Sequence, residues 1–131
     1  MKGGFLVAVD RGLFARASSV LVQLGGAQGI DERVGAVTQL ADDEGRLFTL
    51  YRDVSQGTDW EVRQGPFIAA PGVQIPDMRT VTACPFECRW PDLVVRVAAS
   101  VVGDADVSTW VLDGDGVVWD AKAVDLLDVR L

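Results

Sequence analysis

The alternation of apolar and polar positions divides the chain into segments of two periods. Leu13, Phe14, Ala17, Val20, Leu21 and Leu24 recur at steps of three and four, with Arg16, Ser19 and Gln23 between them. That spacing predicts an amphipathic helix. Asp10 stands where an N-cap is expected and Gly25-Gly26 where the helix should stop. Leu6 and Val9 continue the same stripe backwards, so the period favours helix over a short strand for residues 5–9.

Strand-like runs follow. Residues 33–41 and 46–54 flank the polar turn Asp42-Asp43-Glu44-Gly45 and predict a hairpin. A third short strand is expected at 59–64, where Trp60 and Val62 alternate with Glu61 and Arg63. From Gly65 to Pro76, prolines and Gly72 punctuate an extended loop whose apolar residues pack down. Residues 79–89 read as a strand interrupted at Pro85, which lacks the N–H for a ladder bond and so predicts an edge or a bulge. A second helix is the clearest element: Pro91 and Asp92 fit its first turn, Leu93, Val94, Val97, Ala98 and Val101 form its buried stripe, and Gly103 ends it. A second hairpin turns at Gly114-Asp115-Gly116, with Trp110 and Trp119 on its arms, and residues 121–131 read as a helical turn leading into a final strand.

Strands arriving in antiparallel pairs, rather than alternating with helices, predict an α+β fold. The expected architecture is a single domain over residues 1–131, an antiparallel sheet built from hairpins and packed against two helices. At 131 residues and 49% apolar content the chain can fill one core without a disulfide or metal staple.

Charge changes the picture more than composition does. Nineteen acids face twelve bases, for a net charge of −7. From Gly103 onward seven aspartates stand against Lys122 and Arg130. Such a field repels phosphate backbones, which argues against nucleic acid as a partner, and attracts a basic protein. The apolar run at the N-terminus is too short for a signal-peptide core and no stretch reaches membrane-spanning length, so the expected location is cytoplasmic. Sparse lysine beside frequent Ala, Val, Gly, Asp and Arg matches a GC-rich bacterial coding bias.

Several chemistries lack their parts. The chain has no histidine, which removes imidazole acid–base schemes, Ser-His-Asp and Cys-His arrangements, and imidazole-based zinc sites. Cys84 and Cys88 would stand about 13 Å apart in an extended strand, beyond disulfide reach, and read as structural thiols. Gly25, Gly26 and Gly29 follow a helix and precede Ile30-Asp31, the wrong context for a phosphate loop. Asp113-Gly114-Asp115-Gly116 lacks the rest of a calcium-ligand series. Lys2 and Lys122 are the only lysines, and no clustered nucleophile and base stands out. No catalytic residue, metal ligand or cofactor is therefore assigned.

The expectation that remains is a non-catalytic acidic binding protein, of the immunity-protein or antitoxin kind, that neutralises a basic toxin domain by covering its active site. The candidate partner-binding residues are acids in the two hairpin turns and acids beside tryptophans: Asp42, Asp43, Glu44, Asp59, Trp60, Glu61, Asp113, Asp115, Trp119 and Asp120. Two alternatives stand beside it. One is a small ligand-binding domain or enzyme with a pocket at the loop from Gly65 to Pro76, lined by Tyr51, Arg52 or Arg79. The other is a structural subunit of a larger assembly, with Val22 and Val95 in a self-interface.

Overall fold

The computed structural model describes residues 2–52, 59–103 and 107–131, and the backbone alone at 59 and 60. Along the chain run β1 (Gly3–Ala8), α1 (Leu13–Gln23), β2 (Ala27–Asp31), β3 (Gly35–Ala41), β4 (Leu47–Tyr51) and α2 (Asp59–Arg63). There follow β5 (Ile68–Ala69), β6 (Thr82–Glu87), α3 (Pro91–Val102), β7 (Thr109–Leu112) and β8 (Val117–Asp120). The strands form one sheet in the order β2-β3-β4-β6-β1-β7-β8-β5. Every pairing is antiparallel except β5 with β8, which makes the fold α+β. Among the described residues no helix is long and apolar enough to cross a membrane.

The two faces of the sheet are covered unequally. On one, Leu6, Phe48, Leu50, Phe86, Val111 and Trp119 interleave with Leu13, Ala17 and Leu21 of α1 and with Leu93, Val97 and Val101 of α3. Phe48 and Phe86 stack there with ring centroids 4.9 Å apart. On the other face, Val7, Ala83, Leu112 and Val118 are covered by Val62 of α2 and by Met78 and Val81. Among the described residues that cover lies over β7, β8 and the part of β1 and β6 where Val7 faces Ala83.

The hairpins β3–β4 and β7–β8 and the helices α1 and α3 fall where their periods predict, and five local expectations fail. Residues 5–8 are strand, not helix, and Val9 lies in the bend that follows. β1 lies between β6 and β7, with Leu6 and Ala8 in one core and Val7 in the other. A run buried on both faces is apolar at nearly every position and so fits either period. Asp10 does not cap α1: the N-cap is Gly12, and Asp10 Oδ1 accepts from Arg16 Nη2 at 3.0 Å. Arg16 also donates to the Val101 carbonyl and to Thr109 Oγ1, tying α1 to α3 and β7.

The segment expected as a strand at 59–64 contains the short helix α2, held down by Arg63 Nη1 donating to the carbonyls of Met78 (3.0 Å) and Val81 (2.6 Å). Residues 121–131 form turns with no strand, anchored by buried Val124 and Val129. β2, unforeseen, is an edge strand exposed along its whole length, so it shows no apolar alternation. It docks through Gln28 Nε2, which donates to Ser18 Oγ at 2.8 Å, while the buried hydroxyls of Ser18 and Thr38 bond each other.

Pro85 is the fifth. It lies in β6, at the middle of the sheet rather than at an edge. The Cys88 N–H donates to the Lys2 carbonyl at 3.0 Å, which makes Phe5 and Pro85 a non-hydrogen-bonded pair of the β1–β6 ladder. The proline nitrogen therefore faces β4, whose pairing with β6 ends one residue earlier, at Leu50 and Phe86.

Candidate functional site

Strand alternation sorts the residues of β1, β4 and β6 into two sets. Leu6, Phe48, Leu50, Cys84 and Phe86 point to the helices and are fully buried, whereas Phe5, Thr49, Tyr51, Pro85 and Glu87 point the other way and are only half-buried. Among the described residues, no helix lies over this second face at Tyr51, Pro85 and Phe5. The result is a trough of about 780 Å3, with Phe5, Pro85, Tyr51 and Glu87 on its floor. One wall is the turn between β2 and β3, with Asp31, Arg33 and Val34; the other is Glu61 of α2 with Gly65, Pro66 and Phe67. Gly3 lies at its end, where any Cβ would collide with the Phe86 carbonyl oxygen, so β1 and β6 approach there without a side chain between them.

The trough is apolar at its base and acidic around it. Asp31, Glu61 and Glu87 face one arginine, Arg33, and the further carboxylate at its edge, Asp113, is bound internally. Tyr51 donates its hydroxyl to Glu87 Oε1 at 2.8 Å. Partial burial, that hydrogen bond and the negative charges of Glu87 and Asp31 push the phenol up to about 12. Both acids therefore act on the Tyr51 hydroxyl, and the field inside the trough is negative. An aromatic and proline floor beneath carboxylates is the arrangement that holds an organic cation.

The partner-binding residues expected from the sequence are dispersed. Both acidic turns lie at one end of the sheet, about four strand spacings apart, or roughly 19 Å. Within the first, Asp42 is committed inward: its carboxylate takes the Glu44 and Arg46 N–H groups and Arg46 Nε at 2.7 Å. Asp43 and Glu44 are exposed. Within the second, Asp115 is exposed but Asp113 is buried. Asp120 is exposed at the opposite end of β8, apart from both turns. Glu61 is exposed on the trough wall. The side chains of Asp59 and Trp60 lie outside the described residues.

Asp113 and Trp119, both expected at a partner surface, are buried and bonded to each other. Trp119 is 6% exposed, on the helix face of β8, and gives its indole N–H to Asp113 Oδ2 at 3.0 Å. Among the tryptophans whose side chains are described, Trp90 is the exposed one, with the Arg46 guanidinium 5.4 Å from its ring centroid.

The pocket expected beside the 65–76 loop is present in part. Gly65, Pro66, Phe67 and Tyr51 line the trough, but Arg79 lies out in solvent, paired with Asp77 at 3.1 Å. Arg52 is exposed and lines no part of it. Of the two residues proposed for a self-interface, Val22 is exposed and Val95 packs partly against the helix-face core. Both cysteines are buried and no disulfide joins them, in keeping with structural thiols. Phe5, Pro85, Glu87 and Asp31 were not singled out by sequence; the available signal was the parity of three strands that only the pairing brings side by side.

No family model, no curated protein and no solved structure matches this chain.

Proposed function

We propose that this chain is a non-catalytic acidic binding protein, an immunity protein or antitoxin acting in the cytoplasm, that neutralises a basic toxin domain by covering its active site. The observation that carries this reading is how the charge is spent. Arg16, Arg46 and Arg79 are each consumed by internal carboxylates, Asp10, Asp42 with Asp92, and Asp77. Asp43, Asp115, Asp120 and Glu61 stay exposed, with no ion pair among the described residues. Bases such as Arg89, Arg96 and Lys122 are exposed too, but the net charge of −7 keeps the acids in excess, and such an excess steers and holds a cationic partner.

The test is co-expression with the product of the adjacent gene, followed by co-purification at low salt. Charge reversal of Asp43, Glu44 and Asp115 should slow association and weaken its salt dependence. Asp42 and Asp113 are left out because they hold the fold. Failure of any complex to form, or a complex indifferent to the reversals and to salt, would reject the reading.

A second reading, a small ligand-binding domain or enzyme, is favoured by the trough itself, whose volume suits a small molecule. Turnover of a substrate by the purified chain, lost on Tyr51→Phe or Glu87→Gln, would replace the first reading with this one.

A further inference from the structure

We propose that the trough on the open half of the sheet is an arginine-accepting site, in which a guanidinium side chain from a basic partner lies on the Phe5–Pro85–Tyr51 floor and forks onto the Glu87 carboxylate. This rests on the reading of the chain as a binder of a basic protein, and it assigns the contact to a place apart from the first acidic turn, with Asp113, Gly114 and Gly116 of the second turn at its edge.

Three observations meet in it. The floor is a flat apolar platform: Phe5 and Pro85 form a cross-strand pair, and Tyr51 adjoins them across the end of β4. Non-hydrogen-bonded pairs bring side chains closest, so Phe5 and Pro85 make one continuous surface. The carboxylate above it is half satisfied. Glu87 Oε1 receives the Tyr51 hydroxyl, and Oε2 has no bond among the described residues, which leaves an acceptor on a side chain that lines the trough. The surrounding charge is complementary to a cation, with Asp31 and Glu61 on opposite walls against Arg33 alone.

The protein also builds this arrangement for one of its own residues. Arg46 lies over the Trp90 ring while its Nη1 and Nη2 fork onto Asp92 at 3.1 and 2.8 Å. The trough has the same parts, aromatic face and carboxylate, and among the described residues no arginine bonds Glu87, though Arg33 stands on the wall. Guanidinium fits better than ammonium because its plane stacks on rings and its two N–H edges match a carboxylate.

The test uses the full chain, 15N-labelled, titrated at low ionic strength with the peptide acetyl-(Gly-Arg)4-amide and with its citrulline counterpart, which keeps the shape and removes the charge. The expected result is a set of amide shifts centred on Phe5, Tyr51 and Glu87, at least about tenfold weaker binding to Glu87→Gln, and a comparable loss with citrulline. Lys-for-Arg peptides should bind more weakly than Arg peptides. Retained spectral dispersion in Glu87→Gln separates lost binding from lost fold, and Asp31→Asn gives a second, independent loss. Shifts gathered at Asp43 and Glu44 instead would overturn the trough while leaving the acidic-binder reading intact. No binding by the arginine peptide at all would also overturn the trough; co-purification with the natural partner then judges the broader reading separately.

Discussion

Trp119 Nε1 donates to Asp113 Oδ2 at 3.0 Å inside the protein, and that bond belongs to a carboxylate that organises the whole β7–β8 corner. Asp113 Oδ1 accepts the N–H groups of Asp115 and Val117 at 2.9 and 3.0 Å, closing the turn, and Oδ2 also accepts the Arg130 N–H at 3.2 Å. One side chain thus fixes the hairpin, the indole and the last residues of the chain. Asp113→Ala leaves these donors unsatisfied in a buried site and should cost roughly 2–4 kcal/mol, read from urea unfolding followed by tryptophan fluorescence. Asp113→Asn, which retains one oxygen acceptor, should cost less. An Asp113→Ala protein as stable as the wild type would mean that water replaces the carboxylate.

What was legible in the sequence follows from where each element lies. α3 declared itself because one face is buried and the other wet, so Leu93, Val94, Val97, Ala98 and Val101 repeat at helical spacing. The β3–β4 hairpin did so because Gly45, at positive φ, marks its turn. β1 was ambiguous because it is buried on both sides, and β2 was invisible because it is exposed throughout. The trough was hardest. Phe5, Tyr51, Pro85 and Glu87 come from three separate strands, and their meeting depends on β1 inserting between β6 and β7, a long-range order that no local period encodes. The acidic turns drew attention by composition alone, which says nothing of whether a carboxylate faces inward, as Asp42 and Asp113 do.

Tyr51 is the chain's one tyrosine, so absorbance near 295 nm reports it alone. Its hydroxyl, raised to about 12 chiefly by burial and then by Glu87, should titrate well above an ordinary phenol near pH 10. The sign for stability follows. A folded-state value above the unfolded one gives a contribution that is whole below about pH 10 and lost as pH climbs toward 12. Glu87→Gln removes both the hydrogen bond to a charged acceptor and the nearby negative charge, so its titration midpoint should move down. Spectrophotometric titration alongside circular dichroism checks this, and an unmoved midpoint would show that burial alone sets it.

Arg46 joins the β3–β4 turn to the start of α3, bonding Asp42 at 2.7 Å and Asp92 at 2.8 Å. The Asp92 carboxyl is held low by its hydrogen bonds from Arg46. Burial works against Asp42, but the Arg46 backbone and guanidinium outweigh it and hold that group low as well. Groups with depressed folded-state values stabilise the protein above their unfolded values and lose that contribution as pH falls through the folded ones. The wild type should therefore lose stability below about pH 4. Arg46→Leu should flatten that part of the profile and shift Trp90 fluorescence, since the guanidinium over its ring is gone. Unfolding midpoints from pH 2 to 7 measure it; parallel profiles for the two proteins would show that the pairs contribute nothing to acid sensitivity.

Cys84 and Cys88 are both buried, and burial raises the Cys88 thiol, which reduces the thiolate that reacts. Cys88 is further engaged with Trp90, its Sγ within 3.5 Å of the Trp90 N–H, at the joint between β6 and α3. In the folded protein, Ellman's reagent should therefore find neither thiol on the timescale at which it labels both in urea. Because both sit in the helix-face core, their labelling should share one rate and track global unfolding. Rapid native labelling of Cys88 alone would instead reveal that the β6–α3 joint opens locally, and would mark it as a place where the helix can lift from the sheet.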